Sequence, residues 1–288
     1  MIAMARSRWP PRGPVAWGVF IVAVTLLSLA AYTELGHAAR LASGADMDAY
    51  WNAALRLRHG EPLYAAGLPT DSDLYRYAPW FAYAWIPLTL LPKSAVLLTW
   101  MTLCVASALA STMPLLRRGA PGIAAFGLLL PFQLEGAAFG NVQPLLVLLL
   151  VWGVERRSGP LWIAIAASLK ATPLLLVAVY LGRHQWRRAA LTLGLTGALV
   201  APMLAFDLRG YSTQIGGGQM SLLTVSPVVY ALASGAAVGL ALIAARSRYA
   251  WLAGIVAVLV ALPRFLLYEI SFVLVGLARP RGAQQIDR

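Results

Sequence analysis

This chain should fold as an all-α, polytopic integral membrane protein, and three features of its sequence lead there. Hydrophobic residues make up 60% of it and charged residues only 12%, where a soluble domain is close to half apolar and a quarter charged. The apolar residues come in repeated long runs, unlike the alternating segments of a membrane barrel. The arginines fall between those runs, at Arg117–Arg118, Arg156–Arg157, Arg183–Arg187–Arg188 and Arg246–Arg248, with Arg6, Arg8, Arg12, Arg279 and Arg281 at the two ends. Backbone groups in hydrocarbon must be paired within the segment, so the spans are helices.

The same placement explains the net charge of +12. Cations at the ends of apolar helices anchor cytoplasmic loops and meet anionic headgroups. The membrane is therefore the expected partner, and nucleic acid is excluded. Cys104 is the single cysteine and lies in an apolar run, so there is no disulfide framework and no thiolate metal site. An ordinary buried thiol is the expectation there.

We expect one transmembrane domain over residues 1–288. Val15–Tyr32 is a retained first span with the N-terminus cytoplasmic. The polar loop that follows, residues 34–78, is then extracytoplasmic. It holds six of the eleven acidic residues: Glu34, Asp46, Asp48, Glu61, Asp71 and Asp73. Within it, Asp46–Arg58 has apolar and aromatic residues at helical spacing and predicts a short interfacial helix, apolar side down. His59–Gly60–Glu61–Pro62 is a turn signal.

Pro79–Leu91 is too short to span and should enter only partway before Pro92–Lys93. Ala120–Glu155 must leave and return, Gly122–Pro131 rising and Pro144–Gly153 descending, with Gln133, Glu135, Asn141 and Gln143 at the outer turn. Leu161–Leu181 has basic residues on both flanks and is interrupted by Lys170 and Pro173. It is either one span with an inverted flank or a broken pair that re-enters, and the proline and lysine favour the break. Ala189–Phe206 rises to a second outer loop, residues 207–225, and Ser226–Ala245 descends. Trp251–Leu262 rises, Pro263–Arg264 turns, and Phe265–Leu277 descends. This puts Arg264, Tyr268 and Glu269 on the same side as Asp46.

Asp46 and Asp48 are the first candidates for chemistry. Two residues apart on a helix, they point about 200° apart and cannot both face one site. An acidic pair in such a loop is more often a solvated face. Lys170 is the only lysine deep in an apolar run, and an intramembrane charge is a functional hypothesis by default.

The segments GADMDAYWNAALRLRHGEPLY (Gly44–Tyr64) and LYRYAPWFAYAWIPLTLLP (Leu74–Pro92) resemble the first outer loop and following helix of glycosyltransferase family 87. GNVQPLLVLLL (Gly140–Leu150), SLKATPLLL (Ser168–Leu176), the RHQWRRA turn (Arg183–Ala189) and PRFLLYE (Pro263–Glu269) continue the likeness. The family consists of GT-C-type membrane enzymes, including polyprenol-phosphate-mannose-dependent α-mannosyltransferases. The resemblance implies a GT-C-like helical bundle in the cell membrane. It also implies hexose transfer, with mannose as the sugar, from a polyprenyl-phosphate donor to a glycan or glycolipid acceptor on the extracytoplasmic side.

By position, the family's loop-one aspartate falls on Asp46, the proposed general base. A carboxylate that takes the acceptor's proton accelerates attack by about 10²–10⁴. The phosphate leaving group asks for cations instead, in the order Arg264, Arg76 and Lys170. Asp48, Tyr50, Asn52, Tyr77, Asn141, Gln143, Tyr268 and Glu269 are the candidates for acceptor and sugar contacts. One base and no evident nucleophile imply single displacement with inversion. No cofactor, no nucleotide sugar and no metal are expected, because a monophosphate leaving group carries little charge to neutralise.

The chain departs from the family pattern in two places. The usual G-Q-x-N order appears as Gly140–Asn141–Val142–Gln143, and Tyr-Pro-Pro as Tyr77–Ala78–Pro79. Two rival readings accompany the enzyme. A transporter or lipid flippase would explain the broken helix and mid-run lysine, and a non-catalytic scaffold for envelope assembly would need no site at all.

Overall fold

The computed structural model describes residues 44–64, 74–211 and 220–278, together with Thr25, Leu29, Thr33 and Gly36. The first span, the carboxylates Asp71 and Asp73, and the triple glycine of the second outer loop lie outside the described residues, those four positions aside. The described chain is helical throughout, joined by one isolated bridge between Met220 and Phe265. Three helical segments are long and apolar enough to cross a membrane, Lys93–Arg118, Trp186–Ala205 and Pro227–Ala244.

In chain order the elements are α1 (Ala45–His59), α2 (Pro79–Trp85, extended by a 3₁₀ turn, Ile86–Leu90), α3 (Lys93–Thr112) and α4 (Ala120–Ala138). There follow α5 (Gln143–Gly153), α6 (Gly159–Leu169), α7 (Val177–Gly182, preceded by the 3₁₀ turn Thr172–Leu176) and α8 (Trp186–Val200). The last four are α9 (Leu222–Val225), α10 (Pro227–Ala244), α11 (Ala250–Val260) and α12 (Val273–Leu277, preceded by the 3₁₀ turn Leu267–Phe272).

Proline sets most of these boundaries. It stands in the first turn of α2, α4, α5, α6 and α10, where its missing N–H has no helical partner to lose. The end of α1 is set by Gly60. At φ 71° its N–H turns back toward the carbonyls of Arg56 and Leu57, a left-handed cap that favours glycine.

The expected break at Lys170 is present, and its course is now decided. Lys170 is extended (φ −137°, ψ 115°) between α6 and the Thr172–Leu176 turn. The two arms then return to one end of the bundle. The Tyr180 hydroxyl donates to the Val154 carbonyl at 2.7 Å, and Arg183 pairs with Glu155 at 3.1 Å. The segment is a re-entrant hairpin with Lys170 near its tip, not a crossing span. Arg188 donates to the Arg156 carbonyl, and Arg183 Nε to that of Ala245, so the arginine clusters of these hairpins share one end.

One boundary needs correction. The rising arm after Arg118 does not stop at Pro131. It runs on as α4 to Ala138 with Pro131 inside, so Gln133 and Glu135 are buried on a helix and the outer turn is Phe139–Val142. An internal proline crowds the carbonyl four residues back. That residue is Gly127, with open space around it, which leaves the turn room to adjust.

The hairpins α4–α5, α6–α7 and α11–α12 direct their tips to the end opposite the arginines. The α4–α5 tip is sunk below the start of α3. Trp100, seven residues into α3, donates to the Gly140 carbonyl at 2.7 Å, which sets that tip beside the first turns of α3. Over them lies α1, glued to α2 and α3 by aromatics. The Tyr50 ring stands 5.0 Å from Phe81, 5.4 Å from Trp85 and 6.1 Å from Trp100. Each such aromatic pair contributes about 0.5–1.5 kcal/mol beyond its buried area.

Candidate active site

The site begins where two helix ends cap each other. The last carbonyls of α4 and the first amides of α1 would both be orphans. Instead, Gly44 donates to the Ala138 carbonyl at 3.2 Å and Asp46 to the Phe139 carbonyl at 2.9 Å. The junction is tight. Gly140 has φ 67°, and a Cβ placed there would lie 3.0 Å from that of Met47 and 3.4 Å from the Gly44 Cα. Close approach and left-handed backbone both favour glycine.

This docking delivers Asp46 to Asn141. The Asn141 amide nitrogen donates to Asp46 Oδ2 at 2.8 Å and to the Tyr268 hydroxyl at 3.2 Å. Its Oδ1 accepts from the Gln143 backbone at 2.8 Å, so the amide cannot flip without losing that bond. Among the described residues, Asp46 Oδ1 has no protein partner, and the residue keeps some solvent access. Burial pushes the carboxyl above its ordinary value. The Asn141 bond, and after it the charges of Lys170, Arg264 and Arg76, pull it back.

The three predicted cations therefore converge. Lys170 pairs with Glu269 Oε1 at 2.9 Å and lies over the Tyr268 ring at 4.9 Å. Glu269 is buried and Lys170 partly so, and Glu269 Oε2 has no hydrogen-bond partner. Arg264, in the α11–α12 turn, is half-buried with its Nε enclosed and unpartnered. Arg76 sits on the connector before α2, whose backbone carbonyl accepts from Tyr211 at 3.5 Å.

Tyr50 and Tyr77 complete one wall. Tyr50 accepts from the Val142 amide at 3.2 Å and donates to the Tyr77 hydroxyl at 3.1 Å. Its hydrogen bonds are thus internal, and Tyr77 is the one that keeps a proton to offer.

One predicted residue is not brought to the site. Asp48 points away and pairs with Lys93 at 2.9 Å, half exposed. Asn52, six residues after Asp46, follows it on α1 at about 120° round the helix. Gln143 is deep rather than open, and its amide donates to Ser271 at 3.4 Å. The exchange of amides in Gly140–Asn141–Val142–Gln143 has a consequence here: the shorter amide meets the carboxylate and the longer one ties α5 to the Leu267–Phe272 turn.

Sequence reading missed Ser271, Trp100 and Trp80. Trp80 Nε1 donates to Ser168 at 3.1 Å, tying α2 to α6. A lone hydroxyl two residues after Glu269 in an apolar run was the available signal for Ser271. Nothing local marked the two tryptophans. No group of three metal-ligating side chains occurs among the described residues.

Residues 75–266 match glycosyltransferase family 87. No curated protein and no solved structure matches the chain. The matched stretch covers well over half the sequence and includes Arg76, Asn141, Lys170 and Arg264, while Asp46 precedes it. The chain belongs to glycosyltransferase family 87 and is a membrane glycosyltransferase.

Proposed function

We propose that this glycosyltransferase moves a hexose, mannose by family resemblance, from a polyprenyl-phosphate donor to a hydroxyl of a glycan or glycolipid acceptor. The reaction would take place on the extracytoplasmic side of the cell membrane, with the arginine-rich end of the bundle cytoplasmic. The supporting observation is the placement of Asp46: reachable by solvent, oriented by Asn141 and surrounded by three cations.

In this reading Asp46 Oδ1 removes the proton of the acceptor hydroxyl as its oxygen attacks the anomeric carbon. The bond between that carbon and the phosphate oxygen breaks, and polyprenyl phosphate departs with the electron pair. Arg264, Arg76 and Lys170 stabilise the phosphate charge. Tyr77 and the unpartnered Glu269 Oε2 suit sugar hydroxyls, one as donor and the other as acceptor. Glu269 is buried and paired with Lys170, so Asp46 is the accessible carboxylate among the described site residues. A single displacement inverts the anomeric centre.

The test is Asp46→Asn in purified protein supplied with polyprenyl-phosphate mannose and an acceptor glycan. Transfer should fall by about 10²–10⁴ while the protein stays folded. Unchanged transfer by the variant, or damage confined to Asp48→Asn, would remove Asp46 from the role.

A further inference from the structure

Arg76 and Tyr77 reach the site from a stretch of chain without regular structure. Residues 74–78 are neither helix nor strand, so no ladder of backbone hydrogen bonds fixes their peptide planes. Three tyrosine hydroxyls hold them instead. Tyr211 donates to the Arg76 carbonyl at 3.5 Å, Tyr64 to the Tyr77 carbonyl at 2.9 Å and Tyr75 to the Ala78 carbonyl at 2.9 Å. The Ala78 carbonyl also accepts from the Phe81 amide at 3.1 Å, which joins the stretch to α2. Three successive carbonyls are thus gripped by side chains from the loop after α1, from the connector itself and from the turn beyond α8.

The three donors also hold one another. The Tyr64 ring is stacked on Tyr75 at 6.0 Å and meets Tyr211 edge-on at 5.3 Å. Tyr64 and Tyr75 are buried and Tyr211 is half-buried. Burial raises all three phenols above their ordinary value, so each keeps the proton it donates. A peptide group is a rigid plane, and two successive planes held by their oxygens restrict φ and ψ of the residue between them. Tyr77 lies between the planes held by Tyr211 and Tyr64, and Arg76 ends at the first of them. The Arg76 charge acts on Asp46 and the Tyr77 hydroxyl meets that of Tyr50, so both side chains take their aim from this clamp.

We infer that Tyr64, Tyr75 and Tyr211 are positioning residues for sugar transfer. Their hydroxyls set the backbone from which Arg76 meets the phosphate and Tyr77 meets the sugar. The inference rests on the roles proposed for Arg76 and Tyr77, and it adds three residues that act through them.

The experiment compares Tyr64→Phe, Tyr75→Phe and Tyr211→Phe with Tyr180→Phe in the full-length protein, using polyprenyl-phosphate mannose and an acceptor glycan. Tyr180 is the matched control, a buried tyrosine that donates to the Val154 carbonyl at 2.7 Å, at the arginine-rich end. Each variant keeps its ring and loses one hydrogen bond, so melting temperatures should fall by similar small amounts. Displacing a reacting group slightly is costly, so kcat should fall about tenfold in the first three variants and less than about twofold in Tyr180→Phe. Coupling separates positioning from general stability. Tyr211→Phe added to Arg76→Gln, and Tyr64→Phe added to Tyr77→Phe, should each lower kcat by only about twofold. Losses that multiply in full, an equal loss in Tyr180→Phe, or unchanged kcat in the three hydroxyl variants overturns the inference and leaves Arg76 and Tyr77 in their roles. If Arg76→Gln and Tyr77→Phe themselves leave kcat unchanged, those roles fail and the positioning fails with them. If the wild-type protein transfers nothing from this donor, the proposed function fails and takes the inference with it.

Discussion

Asn141 donates its side-chain amide to Asp46 at 2.8 Å, although 95 residues separate them. The contact joins the tip of one buried hairpin to the helix that roofs it, and makes a loop carboxylate part of a site in the bundle.

Asp46→Asn should lower kcat by about 10²–10⁴, the usual worth of a positioned general base. Asp48→Asn should change kcat by less than about threefold, because it removes only a half-exposed pair with Lys93. Steady-state transfer assays of the two variants side by side check both.

The pH profile should show an acid limb above the ordinary aspartate range, since Asp46 must be ionised to act and burial raises its value. Asn141→Ala removes a bond that favours the carboxylate, so the limb should move to still higher pH. The sign for stability is opposite. Because the folded value exceeds the unfolded one, the ionised carboxylate opposes folding above the unfolded value. That penalty fades as pH falls through the folded value. Rate profiles and thermal melts across the same pH series test the two signs.

Lys170→Met should destabilise the protein by about 3–5 kcal/mol, because it leaves Glu269 buried without its partner. Adding Glu269→Gln should restore most of that stability and little of the activity. Recovery of both in the double variant would show the pair to be structural only.

Gly140→Ala should disrupt the site, because the added methyl meets Met47 and Gly44 and pushes α1 off the α4 tip. Gly60→Ala is the matched control. It has the same left-handed backbone, φ 71°, but open space around it, so only about 1–2 kcal/mol of strain is expected. Melting temperature should fall for both, and kcat should fall for Gly140→Ala alone.

Much of this was legible along the chain because it is local. Long apolar runs, arginine clusters and the lysine and proline inside Leu161–Leu181 determined an all-α membrane protein with an interrupted helix. Helical periodicity alone separated Asp46 from Asp48. The likeness of Gly44–Tyr64 and Pro263–Glu269 to the family pointed to both halves of the site. Tertiary structure decided what depends on which surfaces meet. It folded 161–181 back on itself through the Tyr180–Val154 bond, carried α4 through Pro131, and set Lys170 against Glu269 across 99 residues. Periodicity and breakers encode the conformation of a short segment. A buried charge finds its partner only when separate hairpins pack tip to tip, and no window of sequence contains both sides of that contact.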